Sequence, residues 1–161
     1  MNSKKIGFTI GKFAPLHKGH QYLIETALEE MDEFTVVVYE TNVTTISIEN
    51  RAKWIKDLYP NVNILYAFNP PMQYGLDPES VKIQMDYLSE IIKEIKPTHF
   101  YSSEKYGKCV AEYLNIIDRR VDNKKEFIPI SATHVRQNID GSKMWLDKKV
   151  YNDCKKLESS K

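Results

Sequence analysis

Two cysteines, almost no excess of charge of either sign and no long apolar run set the first limits on this 161-residue chain. Cys109 and Cys154 lie far apart with no C-x-x-C pairing, which excludes a zinc knuckle and a disulfide framework and makes a reduced, cytoplasmic setting the default. With 23 basic and 22 acidic residues the net charge is +1, so no global field draws the chain to nucleic acid or to an anionic membrane. Any anion site has to be local. No uninterrupted apolar run approaches the roughly 18 residues of a membrane span, and Met1 to Lys5 leads into a strand without an apolar signal core, so a soluble, intracellular protein is expected. There is no internal repeat, and the length fits a single domain over residues 1–161 with a substantial core.

What is present is alternation. Residues 5–10 read as a buried strand, and Tyr22-Leu23, Ala27-Leu28 and Met31 recur at helical spacing over 21–31. Phe34 to Tyr39 is a β-branched and aromatic run without polar alternation after Thr35, as a parallel strand covered on both faces requires. A helix over 48–59 is stopped by Pro60, a third strand runs over 63–68, and the rigid break at 69–75 reads as a substrate-side loop. Asp77-Pro78-Glu79 has the form of an N-cap, a proline at the first helical position and an acid in the first turn, opening a helix to about Ile95. A fourth strand is predicted over 98–102, a short helix to Leu114, a fifth strand over 115–117 and a charged loop over 118–126. A helix should begin at Ser131 or Thr133, and one more helical segment around 144–151 should end in a frayed tail at 158–161.

Alternating βα units predict an α/β, Rossmann-like doubly wound architecture: a mostly parallel sheet of five, or six, strands with helices on both faces. In such sheets ligands bind beyond the C-terminal strand ends, which puts the 11–20, 40–47 and 68–77 loops, Ser102-Ser103-Glu104 and the 131–136 turn on one rim.

The stretch Gly11-Lys12-Phe13-Ala14-Pro15-Leu16-His17-Lys18-Gly19-His20 joins the first strand to the first helix. The first turn of a helix carries unpaired N–H groups and a partial positive charge, so an anion, phosphate above all, finds donors there. His17 and His20, three apart, can both project from that end, and imidazole, which donates hydrogen bonds and can carry positive charge near neutral pH, suits charge developing on phosphoryl oxygens. Gly11 and Gly19 permit close backbone approach or positive φ, and Pro15 stiffens the loop between them. In Ile130-Ser131-Ala132-Thr133-His134-Val135-Arg136, Ser131 or Thr133 can cap a helix while Arg136, one turn on, offers a planar fork to phosphate.

The first of these stretches resembles the GxFxPxHxGH motif of the nucleotidyltransferase superfamily, with Gly11, Phe13, Pro15, His17, Gly19 and His20 all matching, and the second resembles its ISxTxxR motif. Within that superfamily the chain is similar to the nicotinamide-mononucleotide adenylyltransferases, especially the adenylyltransferase domain of the bacterial bifunctional NAD-biosynthesis regulator. The resemblance implies direct, in-line transfer of AMP from ATP to nicotinamide mononucleotide, with Mg²⁺ carried by ATP, no covalent nucleophile and no protein metal ligand. It implies catalytic roles for His17, His20 and Arg136, and nucleotide binding by Gly11, Lys12, Phe13, Ala14, Gly19, Ser131 and Thr133. Ser102-Ser103-Glu104 resembles the T-S-E segment beside adenine and ribose in that family. Arg51 and Trp54 match residues near the start of the family's second helix and are expected on the acceptor side, as is Tyr74, which stands near the position where relatives carry a Trp and this chain has Leu76. No G-x-x-x-x-G-K-[ST] occurs, so neither the regulator's kinase nor its DNA-binding module is expected here. Competing readings are a cytidylyltransferase or another adenylyltransferase with a different phosphorylated acceptor, and a nucleotide-binding regulatory module without turnover. The cytidylyltransferases usually carry Asp at the position of Ala14 or Pro15 and place the arginine of their second motif ahead of its serine. The pantetheine-phosphate enzymes carry Thr in place of His17. The oligomeric state is left open, a homo-oligomer included.

Overall fold

The computed structural model describes residues 3–72, 75, 77–104, 106–122 and 125–159. Five strands alternate with helices: β1 (Ile6–Gly11), α1 (Lys18–Glu30), β2 (Glu33–Tyr39), α2 (Ile48–Leu58), β3 (Asn63–Ala67), α3 (Pro78–Ile92), β4 (His99–Ser102), α4 (Gly107–Leu114), β5 (Ile117–Arg120) and α5 (Ala132–Gln137), followed by a 3₁₀ turn (Asp140–Trp145) and α6 (Lys148–Ser159). The strands form one sheet in the order β3-β2-β1-β4-β5, every neighbouring pair parallel. This is the expected Rossmann-like architecture with five strands.

The chain winds outward from β1 in both directions. Side chains alternate across a strand, so Phe34, Val36 and Val38 enter one core with Leu23, Ile24, Ala27, Ala52 and Ile55, while Val37 enters the other with Phe8, Met85, Leu88, Ile92 and Phe100. Helices therefore cover both faces, and β2 has no polar alternation because neither face is wet. The order reverses between β1 and β4, where the β1–α1 and β4–α4 connections leave in opposite directions and open a crevice at the strand ends.

Asp77 caps α3 as its sequence indicates, accepting from Ser80 N at 3.1 Å with Pro78 first in the helix. β5 is displaced from the expected 115–117. Asn115 instead closes α4 in the left-handed region at φ 57°, and the strand runs through the charged residues Asp118, Arg119 and Arg120. An edge strand tolerates this: Arg119 forks onto Glu30 of α1 at 2.9 and 3.0 Å and Arg120 reaches Asp118 at 3.2 Å. The helical segment expected around 144–151 is divided in two. Asp147 accepts from Lys149 N with its side chain and from Tyr151 N with its carbonyl, so α6 starts afresh after the 3₁₀ turn and runs through Ser159. Among the described residues no helix is long and apolar enough to cross a membrane.

Candidate functional site

Gly11 ends β1 at the crevice, and the chain then turns through Phe13, at φ 49°, and a cis Ala14–Pro15 bond. The positive φ falls on Phe13, and neither Gly11 nor Gly19 adopts one. The glycines serve close approach instead. A Cβ at Gly11 would lie 2.9 Å from Cζ of Phe13, and one at Gly19 would lie 2.8 Å from Cε1 of His17.

That room lets two histidines cap α1 reciprocally. His17 is the N-cap, and its Nδ1 accepts from the N–H groups of Gly19 at 3.0 Å and His20 at 3.4 Å, while Nδ1 of His20 accepts from His17 N at 3.1 Å. This is the geometry of a capping box, with imidazole nitrogens in place of the usual oxygen acceptors. The rings stack at 3.7 Å between centroids, and Phe13 meets the His20 ring edge-on at 4.9 Å. A ring nitrogen that accepts cannot carry a proton, so Nε2 of each neutral ring bears the hydrogen and is the donor.

Electrostatics keep the rings neutral. Burial, and then the Lys125 ammonium, hold His17 down to about 4, and burial, followed by His17 and Lys125, holds His20 well below the ordinary imidazole value. Of the two properties the sequence suggests for these imidazoles, hydrogen-bond donation and positive charge, the folded pair keeps the first: it stands as two neutral donors. The reason is that helix N–H groups and desolvation both favour an unprotonated Nδ1.

The second motif folds as expected and meets the first. Ser131 caps α5, accepting from His134 N at 3.2 Å, and Val135 is buried in the core. Arg136 donates from Nη1 to the Ala14 carbonyl at 2.8 Å and from Nη2 to the Thr133 hydroxyl at 3.2 Å, fastening α5 to the 11–20 loop.

Clefts border that loop among the described residues. One of about 260 Å³ is lined by His17, Gly19, His20, Ser103, Glu104, Asp122, Lys125, Ser131 and Thr133. A second, of about 580 Å³, has Gly11, Lys12, Glu40 and Glu104 with Tyr39, Tyr87 and Tyr106. The third, of about 570 Å³, lies beside Ala14, Pro15, Thr44, Thr45, Thr133 and Arg136. Glu104 lines the first and second, and Thr133 the first and third. Among the described residues no group of three His, Cys, Asp or Glu could hold a metal ion.

Several expected site residues stand elsewhere. Arg51 is 1% exposed and gives its hydrogens to the carbonyls of Lys12, Tyr39 at 3.0 Å and Ile46 at 3.1 Å, tying the 11–20 and 40–47 loops together. Trp54 is 2% exposed, donates to Asp153 on α6 at 2.7 Å and lines none of the clefts described above. Ser102 is buried beneath the rim, its hydroxyl turned to the Glu104 carbonyl at 3.3 Å, so Ser103 and Glu104 face the cleft in its stead. Tyr74 lies outside the described residues. Lys125 and Asp122 emerge only from the structure, because a charged run without periodicity carries no signal of what it faces.

The family model described as the citrate lyase ligase C-terminal domain matches residues 7–70, from β1 to the loop after β3. In sequence the chain is similar to the trifunctional NAD biosynthesis/regulator protein NadR of Escherichia coli K12, 31% identical over 155 residues, covering 84% of this chain and 37% of that protein. The chain thus spans little more than a third of that relative's length. Among solved structures it is similar to a bifunctional NMN adenylyltransferase/ADP ribose pyrophosphatase from Francisella tularensis, with a TM-score of 0.74 and 23% identity over 98% of this chain and 50% of that one. It is also similar to a NadR protein in complex with NAD and AMP-PNP, with a TM-score of 0.69 and 22% identity over 94% of this chain and 47% of that one. These likenesses carry the fold.

Proposed function

We propose that this chain, a nucleotidyltransferase of the NadR adenylyltransferase type, transfers AMP from ATP to nicotinamide mononucleotide, giving NAD and pyrophosphate. The observation that carries the reading is the junction at Glu104. A polar cleft with His17, His20, Ser131 and Thr133 opens on one side and a tyrosine-walled cleft with Lys12 on the other, both beside the β1–β4 reversal of the sheet. Two substrates bound there meet above the β1–α1 loop.

ATP enters as its Mg²⁺ complex, the metal being part of the substrate. An oxygen of the acceptor's 5′-phosphate attacks the α-phosphorus, a new P–O bond forms, and the bond to the bridging oxygen breaks with its electron pair leaving on pyrophosphate. The protein's share is alignment and charge stabilisation. The Nε2–H groups of His17 and His20 donate to oxygens on which charge grows, and because both rings are neutral they need lose no proton to do so. Arg136 holds α5 against the loop and offers its fork to the outer phosphates with Thr133. Lys12 is suited to the acceptor's phosphate and the phenol faces of the second cleft to a flat pyridine ring. Arg51 acts as a positioning residue, holding the two loops that border that cleft.

The deciding experiment is a panel of phosphorylated acceptors offered with ATP or CTP and Mg²⁺, read out as pyrophosphate. ATP with nicotinamide mononucleotide should release it and form NAD. Release only with CTP would replace the donor, release only with another acceptor would replace nicotinamide mononucleotide, and no release with any pair would leave a nucleotide-binding module.

A further inference from the structure

The paired histidines leave the small cleft short of positive charge. Both rings are neutral, and the Arg136 guanidinium, offered to the outer phosphates, lines the adjoining cleft and not this one. Among the described residues lining the cleft with His17 and His20, Lys125 is the one lysine or arginine. A triphosphate is a polyanion, and donors without charge neutralise it poorly.

The backbone at Asp122 and at Lys125 is held by hydrogen bonds on both sides. Asp122 and Lys125 both stand in the left-handed region, at φ 51° and 54°, which non-glycine residues enter at a cost. Lys125 N donates to the Asp122 carbonyl at 2.8 Å, and the Asp122 carboxylate accepts from the N–H groups of Phe127 at 3.0 Å and Ile128 at 2.9 Å. The Asp122 charge is thereby turned to the backbone. Lys125 itself reaches across the cleft to Glu104 at 3.8 Å, a long contact between side chains that are 39% and 56% exposed. Such a pair contributes little and is easily exchanged.

From this arrangement we infer that Lys125 is a phosphate-binding residue: on nucleotide binding its ammonium leaves Glu104 for the phosphate oxygens. A rotatable ammonium on a long stem suits that exchange. The inference rests on the nucleotide-binding part of the proposed function, and it adds a residue that belongs to neither motif.

The test compares ATP with adenosine, which lacks the phosphates, as ligands of wild type, Lys125→Gln and Lys125→Arg, each checked for an unchanged melting profile. For Lys125→Gln, ATP should bind roughly 10-fold or more weakly while adenosine changes less than about 2-fold, and Lys125→Arg should restore most of the loss. In turnover the same variant should raise the KM for ATP more than it lowers kcat. Equal ATP affinity in wild type and Lys125→Gln, or an equal loss for ATP and adenosine, would overturn the contact. ATP bound with the expected difference, but no turnover with any acceptor, would remove the proposed reaction and leave Lys125 as assigned.

Discussion

Arg136 donates from Nη1 to the carbonyl oxygen of Ala14 at 2.8 Å, a single bond across 122 residues of chain. It joins the last turn of the helix in one motif to the loop of the other, so the two reach the crevice as one unit. The fork geometry matters as much as the charge, since its other arm holds the Thr133 hydroxyl.

Arg136→Lys should therefore fail to substitute. A lysine keeps the charge and loses the second arm, and kcat should fall roughly 10-fold or more, with a further loss for Arg136→Ala. Steady-state kinetics with ATP varied would check it. Full activity in the lysine variant would mean that charge alone is required.

His20→Ala should lower kcat far more than it weakens ATP binding, by roughly 100-fold or more, since its Nε2–H is proposed to act where charge develops in the transition state. Comparing kcat with a directly measured ATP Kd separates the two effects. A parallel loss in both would reduce His20 to a ground-state contact.

The histidine pair also predicts the acid limit of stability. His17 is held from 6.5 down to about 4, and His20 is lowered in the same direction. Below pH 6.5 the unfolded chain takes up protons that the folded chain refuses. Stability is therefore complete above that value and declines as the pH falls toward 4, by on the order of 3 kcal/mol for His17 alone. The Tm should be level near neutrality and drop steadily in that window, and His17→Asn, which keeps an N-cap acceptor, should flatten the slope. A Tm unchanged across the window would contradict the neutral cap.

Gly19→Ala separates activity from stability. Alanine in a helix gains about 1 kcal/mol over glycine, and loss of an N-cap bond costs about the same, so the Tm should hardly move. The added Cβ nevertheless stands 2.8 Å from the His17 ring and must displace it. Turnover should fall several-fold in a protein that melts normally.

Arg51→Met does the opposite. It keeps the apolar stem and leaves the carbonyls of Lys12, Tyr39 and Ile46 without their donor. A cost of about 3 kcal/mol would lower the Tm by roughly 6–12 °C. Calorimetry would register it even if the acceptor KM is affected only through the loosened loops.

The elements of the fold are legible where their causes are local. Val36-Val37-Val38 announces a strand buried on both faces, Asp77-Pro78 announces a helix start, and Ser131 caps α5 as its neighbours require. β5 is not legible, since Asp118, Arg119 and Arg120 are strand residues only because β4 supplies an edge and Glu30 supplies a partner from α1. The resemblance puts Arg51 and Trp54 on the acceptor side, whereas Arg51 is buried on the carbonyls of Lys12, Tyr39 and Ile46 and Trp54 against Asp153 of α6, contacts that exist only once these segments have packed.

The sequence by itself determined the order of strands and helices and the two helix starts that carry the motifs, because periodicity and capping act over a turn or two. Only the tertiary structure decided that the histidines stay neutral, that Arg136 clasps Ala14, and that Lys125 lines the cleft of the two histidines. Proton affinity follows burial and neighbouring charge, and these exist only once segments a hundred residues apart have closed on one another.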